Sequence, residues 1–92
     1  MIRSFRNKGL ERYFLTGSKS GIQANHAASL RLILGWLDGA KGSRDMNLPG
    51  LFLHQLSGTR DEIWSVRVSG NWRVTFRFVT GDAEIVNYED YH

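Results

Sequence analysis

The sequence predicts an α+β domain, and three observations carry that expectation. Apolar residues recur at helical spacing from Ala24 to Leu37, a turn signal follows at Asn47-Leu48-Pro49-Gly50, and the chain beyond it alternates with period two. Helices should therefore come first and pack on a mainly antiparallel sheet made from the second half. At 92 residues the chain predicts one domain over 1–92, long enough to bury somewhat more than ~60% of its unfolded surface and to fold without covalent staples.

In chain order, Ile2–Arg6 reads as a brief leading strand and Lys8–Leu15 as a short helix stopped by Gly17. In the main helix Ala27, Leu30, Leu34 and Leu37, with Ile33 beside them, form one apolar stripe, and Gly39 can end it. A short strand at Leu51–Leu56 then precedes three longer ones at Ile63–Val68, Trp72–Val79 and Ala83–Tyr91. Trp64, Val66 and Val68 share a face, as do Trp72, Val74, Phe76 and Phe78. Burying both sets together predicts the register and puts position 68 opposite 72, across a three-residue loop Ser69-Gly70-Asn71. A two-residue turn, Thr80-Gly81, then pairs Phe78 with Ala83 and Phe76 with Ile85.

On the other face this register sets Arg67 across from Arg73, Ser65 from Thr75 and Ile63 from Arg77, while the last strand brings Glu84 to Arg77 and Tyr88 to Arg73. Continued alternation puts Asp90 and His92 beside the two arginines, with Tyr91 pointing across. Like charges facing each other across a sheet are destabilising, so Arg67 and Arg73 predict a shared anion. Arginine forks match phosphate oxygens, and histidine titrates nearest neutrality. Together they suit cleavage of an RNA phosphodiester, whose 2′-OH supplies the nucleophile. Such an enzyme needs only a base, an acid and cations around the phosphate. His54, within Leu53-His54-Gln55-Leu56, is a second acid–base candidate and equally suits a half-buried strand position. His26 reads as a solvent-facing helix residue.

Composition narrows the classes further. The absence of cysteine excludes disulfides, thiolate metal sites and cysteine catalysis, and fits a reducing cytosol. The opening Met1–Arg6 lacks the apolar core of a signal peptide, and no apolar run approaches the roughly 18 residues of a membrane span. A cytoplasmic protein with no membrane partner is expected. His26, His54 and His92 lie far apart, so neither a metal site nor a cofactor is expected; no phosphate-binding glycine loop or Ser/His/Asp arrangement is visible. The net charge of +3 conceals an asymmetry, because residues 1–44 carry eight Lys/Arg against two acids and residues 45–92 carry four arginines against seven acids. A basic half suits a polyanion as well as it suits solubility.

Leu56-Ser57-Gly58-Thr59-Arg60, Trp64-Ser65-Val66-Arg67-Val68, Asn71-Trp72-Arg73-Val74-Thr75-Phe76 and the ending Asp90-Tyr91-His92 together resemble the HigB toxins of the RelE/ParE superfamily. The resemblance extends to Met1–Phe5 and Lys8-Gly9-Leu10, and is least specific over Gln23–Gly42. It implies a small RelE-like microbial ribonuclease fold and a bacterial type II toxin, an mRNA endoribonuclease that works in the ribosomal A site without a metal. The implied partners are the 70S ribosome with its mRNA and a helix-turn-helix antitoxin of the HigA type, with operator DNA reached only through the antitoxin complex. Carried over residue by residue, His54, Asp90, Tyr91 and His92 form the implied catalytic group, and Arg60, Arg67 and Arg73 surround phosphates. Ser57 departs from the lysine many relatives carry, which leaves Arg60 to supply that contact. Relatives of the ParE type share the fold and bind DNA gyrase without nuclease chemistry, so an inhibitor of a protein target is the alternative; a toxin reduced to a binding module is a third.

Overall fold

The computed structural model describes residues 1–56 and 62–91. The first helix, α1 (Lys8–Thr16), starts where the Asn7 side chain accepts the Leu10 N–H at 2.8 Å. The same side chain donates to the Tyr88 carbonyl at 3.1 Å, so the cap that starts the helix also ties it to the sheet. Gly17 ends it at φ 81°, sending its N–H back to the Tyr13 carbonyl at 2.9 Å. The second helix, α2 (Ala27–Gly39), follows a 3₁₀ turn at Ala24–His26 that takes up the first residues of the expected helix. Its buried residues Ala27, Leu30, Ile33, Leu34 and Leu37 are the stripe read from the spacing.

Among the described residues four strands follow, β1 (His54–Gln55), β2 (Trp64–Ser69), β3 (Trp72–Val79) and β4 (Asp82–Asp90), joined as an antiparallel sheet in chain order. Arg67↔Arg73 and Ser65↔Thr75 pair as the alternation predicts. Ile63 lies before β2, and its carbonyl takes the Leu56 N–H at 2.8 Å. The expected three-residue loop is a two-residue turn, Gly70-Asn71, because Ser69 rather than Val68 pairs with Trp72 and Val68 is absorbed as a bulge. Thr80-Gly81 forms the other hairpin turn, both residues at positive φ as a type I′ turn requires.

A second bulge changes the face assignments of the last strand. Phe78↔Ala83 and Arg77↔Glu84 pair as expected, but β4 then takes an extra residue at Ile85, which sits at φ 48°. Beyond it Asn87 pairs with Thr75, Tyr88 with Val74, Glu89 with Arg73 and Asp90 with Trp72. The expected pairing of Tyr88 with Arg73 is therefore overturned. A one-residue slip sends every later side chain to the opposite face, so Val86 and Tyr88 turn into the core in place of Ile85. The leading segment runs parallel to β4 as two isolated bridges, Ile2↔Ala83 and Phe5↔Val86. Between them the Ser4 hydroxyl accepts the N–H of the bulged Ile85 at 2.8 Å.

The core lies between α1, α2 and one sheet face, with Leu10, Leu30, Leu37, Met46, Val66, Val74, Phe76 and Val86 at zero exposure. A 3₁₀ turn at Ser43–Met46 delivers Met46 to it. The opposite sheet face carries His54, Arg67 and Arg73.

Candidate active site

The open face is a ladder of cross-strand pairs, and register alone specifies which side chains meet there. One row runs His54, Ser65, Thr75, Asn87; the next runs Arg67, Arg73, Glu89. Adjacent rows on one face lie about 7–8 Å apart on the diagonal, so His54 stands one row from Arg67. Ser65 and Thr75 are buried, and the Ser65 hydroxyl has no hydrogen-bond partner among the described residues.

His54 is exposed on β1, and its Nδ1 lies 3.2 Å from the Phe52 carbonyl. A carbonyl oxygen only accepts, so Nδ1 donates and the neutral ring keeps its lone pair on Nε2. This orients the ring for proton transfer through Nε2.

The facing arginines reach different partners. The Arg67 guanidinium sits over the Phe52 ring, 5.6 Å from its centroid. Arg73 turns back to the Gly70 and Trp72 carbonyls at 3.1 and 3.4 Å. The two like charges thus each have a local partner: an aromatic face for Arg67 and backbone acceptors for Arg73. Glu89, opposite Arg73, supplies negative charge in the same row, and its Oε2 accepts from Asn87 Nδ2 at 3.4 Å.

Of the candidates named from sequence, His54, Arg67 and Arg73 share this face. Asp90 does not join them there as expected. It pairs with Trp72 on the helix-facing side, because the Ile85 bulge moves β4 by one residue. Tyr91 follows the strand, half-exposed, with its N–H on the Asn71 carbonyl at 2.8 Å. Arg60, Ser57 and His92 lie outside the described residues. Sequence reasoning missed Glu89 and Phe52. The available signal for Glu89 was the apolar doublet Ile85-Val86, since Val86 and Tyr88 fit an inward alternation that Ala83 and Ile85 contradict. Phe52 gave none, because an apolar residue in an apolar run reads as core.

His26 also departs from expectation. It is buried rather than solvent-facing, and its Nδ1 lies 2.7 Å from the Tyr88 hydroxyl. Trp72 closes the group, its ring centroid 4.7 Å from that of Tyr88 and 5.6 Å from that of His26. Burial raises the Tyr88 pKa above its ordinary value, opposed by the Gln23 N–H that its oxygen accepts. This cluster lies at the C-terminal end of β4 and anchors the stretch of strand that carries Glu89 and Asp90 and leads into Tyr91.

A helix layer on one side of an antiparallel sheet, with histidine and arginines on the other, defines a small α+β protein suited to an anionic ligand. The comparisons give the class its family. Residues 3–92 match the family described as RelE-like toxin of type II toxin-antitoxin system HigB. The chain is also 44% identical to the Endoribonuclease HigB of Proteus vulgaris over 92 residues, covering all of both chains. The protein belongs to the HigB-like family of RelE toxins, whose type II systems imply an antitoxin partner.

Proposed function

We propose that the protein is a ribosome-dependent endoribonuclease that cuts translated mRNA in the A site, in the cytoplasm, under control of a HigA-type helix-turn-helix antitoxin. The observation that carries this reading is His54, an exposed imidazole with Nδ1 committed to a carbonyl, one row from Arg67 and two strands from Arg73. The name of the full-length relative supports a nuclease over a gyrase inhibitor. Among the described residues no helix is long and apolar enough to cross a membrane.

The chemistry needs no metal or cofactor. A base removes the 2′-OH proton, the 2′-oxygen attacks the adjacent phosphorus, and an acid protonates the departing 5′-oxygen. His92 is assigned the leading acid or base role, Asp90 its orientation or a partner base, and Tyr91 substrate positioning or proton transfer. His54, through Nε2, is the second acid–base group. Arg67 and Arg73, with Arg60, stabilise the phosphorane charge. Purified protein should be incubated with an mRNA, with and without translating ribosomes and with EDTA on the RNA-only arm. Cuts confined to A-site codons and lost in His92→Ala, with melting unchanged, are expected. A folded protein that cuts in no arm would overturn the nuclease assignment, and full activity in His92→Ala would overturn that residue's role.

A further inference from the structure

Phe52 is an anomaly in both exposure and backbone. Its side chain is 64% exposed, yet it sits at φ 51°, in the left-handed region that is strained for a bulky residue. A buried phenylalanine repays such strain with apolar area; this one leaves its ring in solvent. The surrounding backbone holds it there. The Leu51 carbonyl accepts the Arg67 N–H at 2.7 Å, the Leu51 N–H reaches the Leu48 carbonyl at 3.1 Å, and the Phe52 carbonyl accepts from His54 at 3.2 Å. The ring is thus an exposed plane carried on a fixed loop, with a guanidinium over it.

We propose that Phe52 and Arg67 form a stacking subsite for one unpaired nucleobase of the RNA, adjacent to the bond handled by His54. This rests on the ribonuclease reading of the same face. Single-stranded RNA is held by aromatic rings and guanidinium planes because every base offers a π-face. Three features favour a base over a protein side chain as the occupant. The aromatic plane is paired with a cation, it lies in the arginine-bearing face, and it is joined through one carbonyl to a proton-transfer candidate. The base would enter the Phe52–Arg67 layer while its phosphate meets Arg73. His54 and the stacked base share one rigid segment, so stacking would set the position of the ribose 2′-OH relative to Nε2.

The test combines protein and RNA changes. Single-turnover cleavage of ribosome-bound mRNA is measured for the wild type, Phe52→Ala, Phe52→Trp and Phe52→Gly, using mRNAs with an abasic nucleotide moved through the cut region. Antitoxin binding is followed in parallel. Phe52→Ala should lower kcat/KM on the order of tenfold or more, and Phe52→Trp should restore it. One abasic position should weaken wild-type cleavage by a similar factor while adding nothing in Phe52→Ala. Phe52→Gly relieves the left-handed strain and should melt no lower than wild type while remaining as defective as Phe52→Ala, which separates lost stacking from lost folding. Wild-type cleavage by Phe52→Ala overturns the subsite and leaves the nuclease reading standing. Additive abasic and Phe52→Ala effects, or a loss confined to antitoxin binding, also overturn it and mark Phe52 as a protein contact. A wild type that cuts no RNA overturns both readings.

Discussion

His54 and His26 show how the same side chain serves two ends according to what surrounds it. His54 is exposed, with Nδ1 held by a carbonyl, and the proton transfer proposed for it falls to Nε2. Its replacement by glutamine should lower single-turnover cleavage by roughly 10²–10⁴-fold and leave the melting temperature unchanged, since little packing is lost; activity within twofold of wild type would remove it from the mechanism. His26 is buried against Tyr88 and Trp72, and its partner Tyr88 is buried as well. Tyr88→Phe strands the His26 nitrogen and the Gln23 N–H, and should cost about 1–3 kcal/mol by urea titration. The pH dependence of this site has a definite sign. Tyr88 has its pKa raised above 10.0 in the fold, so the folded state holds the proton more tightly than the unfolded chain. The contribution is fully present below pH 10 and is lost as pH rises through the raised value. Wild type should therefore lose stability on the alkaline side of pH 10 more steeply than Tyr88→Phe; parallel curves would contradict the assignment.

Two elements owe their geometry to residues held in uncommon backbone conformations. Thr80 occupies the first position of a type I′ turn at φ 53°, where a β-branched residue is strained and asparagine is favoured. Thr80→Asn should raise stability by up to about 1 kcal/mol, measured by thermal melting, with no effect on cleavage because the turn lies at the far end of β3 from Arg73. The N-terminal end of α1 depends on a close approach instead. A Cβ on Gly9 would lie 2.7 Å from the Gly21 Cα, so Gly9→Ala must push the helix from the following loop and should cost about 1–3 kcal/mol. A stable Gly9→Ala variant would show that the loop can retreat freely. The Ile85 bulge acts on a larger scale, since it decides which acid faces the arginines: Glu89 stands there, and Asp90 stands with Trp72.

At the scale of the whole molecule, the sheet is closed on its β4 side by the chain's own beginning. Ile2 and Phe5 bridge to β4, the Ile2 N–H reaches Asp38 at 2.9 Å, and Asp82 receives both the Arg3 guanidinium at 2.7 Å and the Met1 ammonium at 3.4 Å. The Arg3 hydrogen bond is the main reason the Asp82 carboxyl titrates below its ordinary 3.8. A depressed pKa gives stability that is present above the ordinary value and lost as pH falls through the folded one. Acid melting curves of Asp82→Asn should accordingly flatten below about pH 4 relative to wild type, with addition of salt reducing the difference because the pair is exposed. An unchanged acid limb would show that the pair contributes nothing measurable.

Sequence alone determined the α+β order, the apolar stripe of α2 and the Arg67/Arg73 register that sets both arginines on one face. Each follows from local periodicity, and burying one stripe or one face leaves a single register that satisfies it. The Ile85 bulge, the burial of His26, the exposure of Phe52 and the exchange of Asp90 for Glu89 were decided by tertiary structure. None has a local signature strong enough to impose it. The extra residue in β4 is stabilised by Ser4, 81 positions away, and His26 meets Tyr88 at a separation of 62. Alternation reports which residues can share a face; contacts over such separations decide which face a strand turns toward its neighbours.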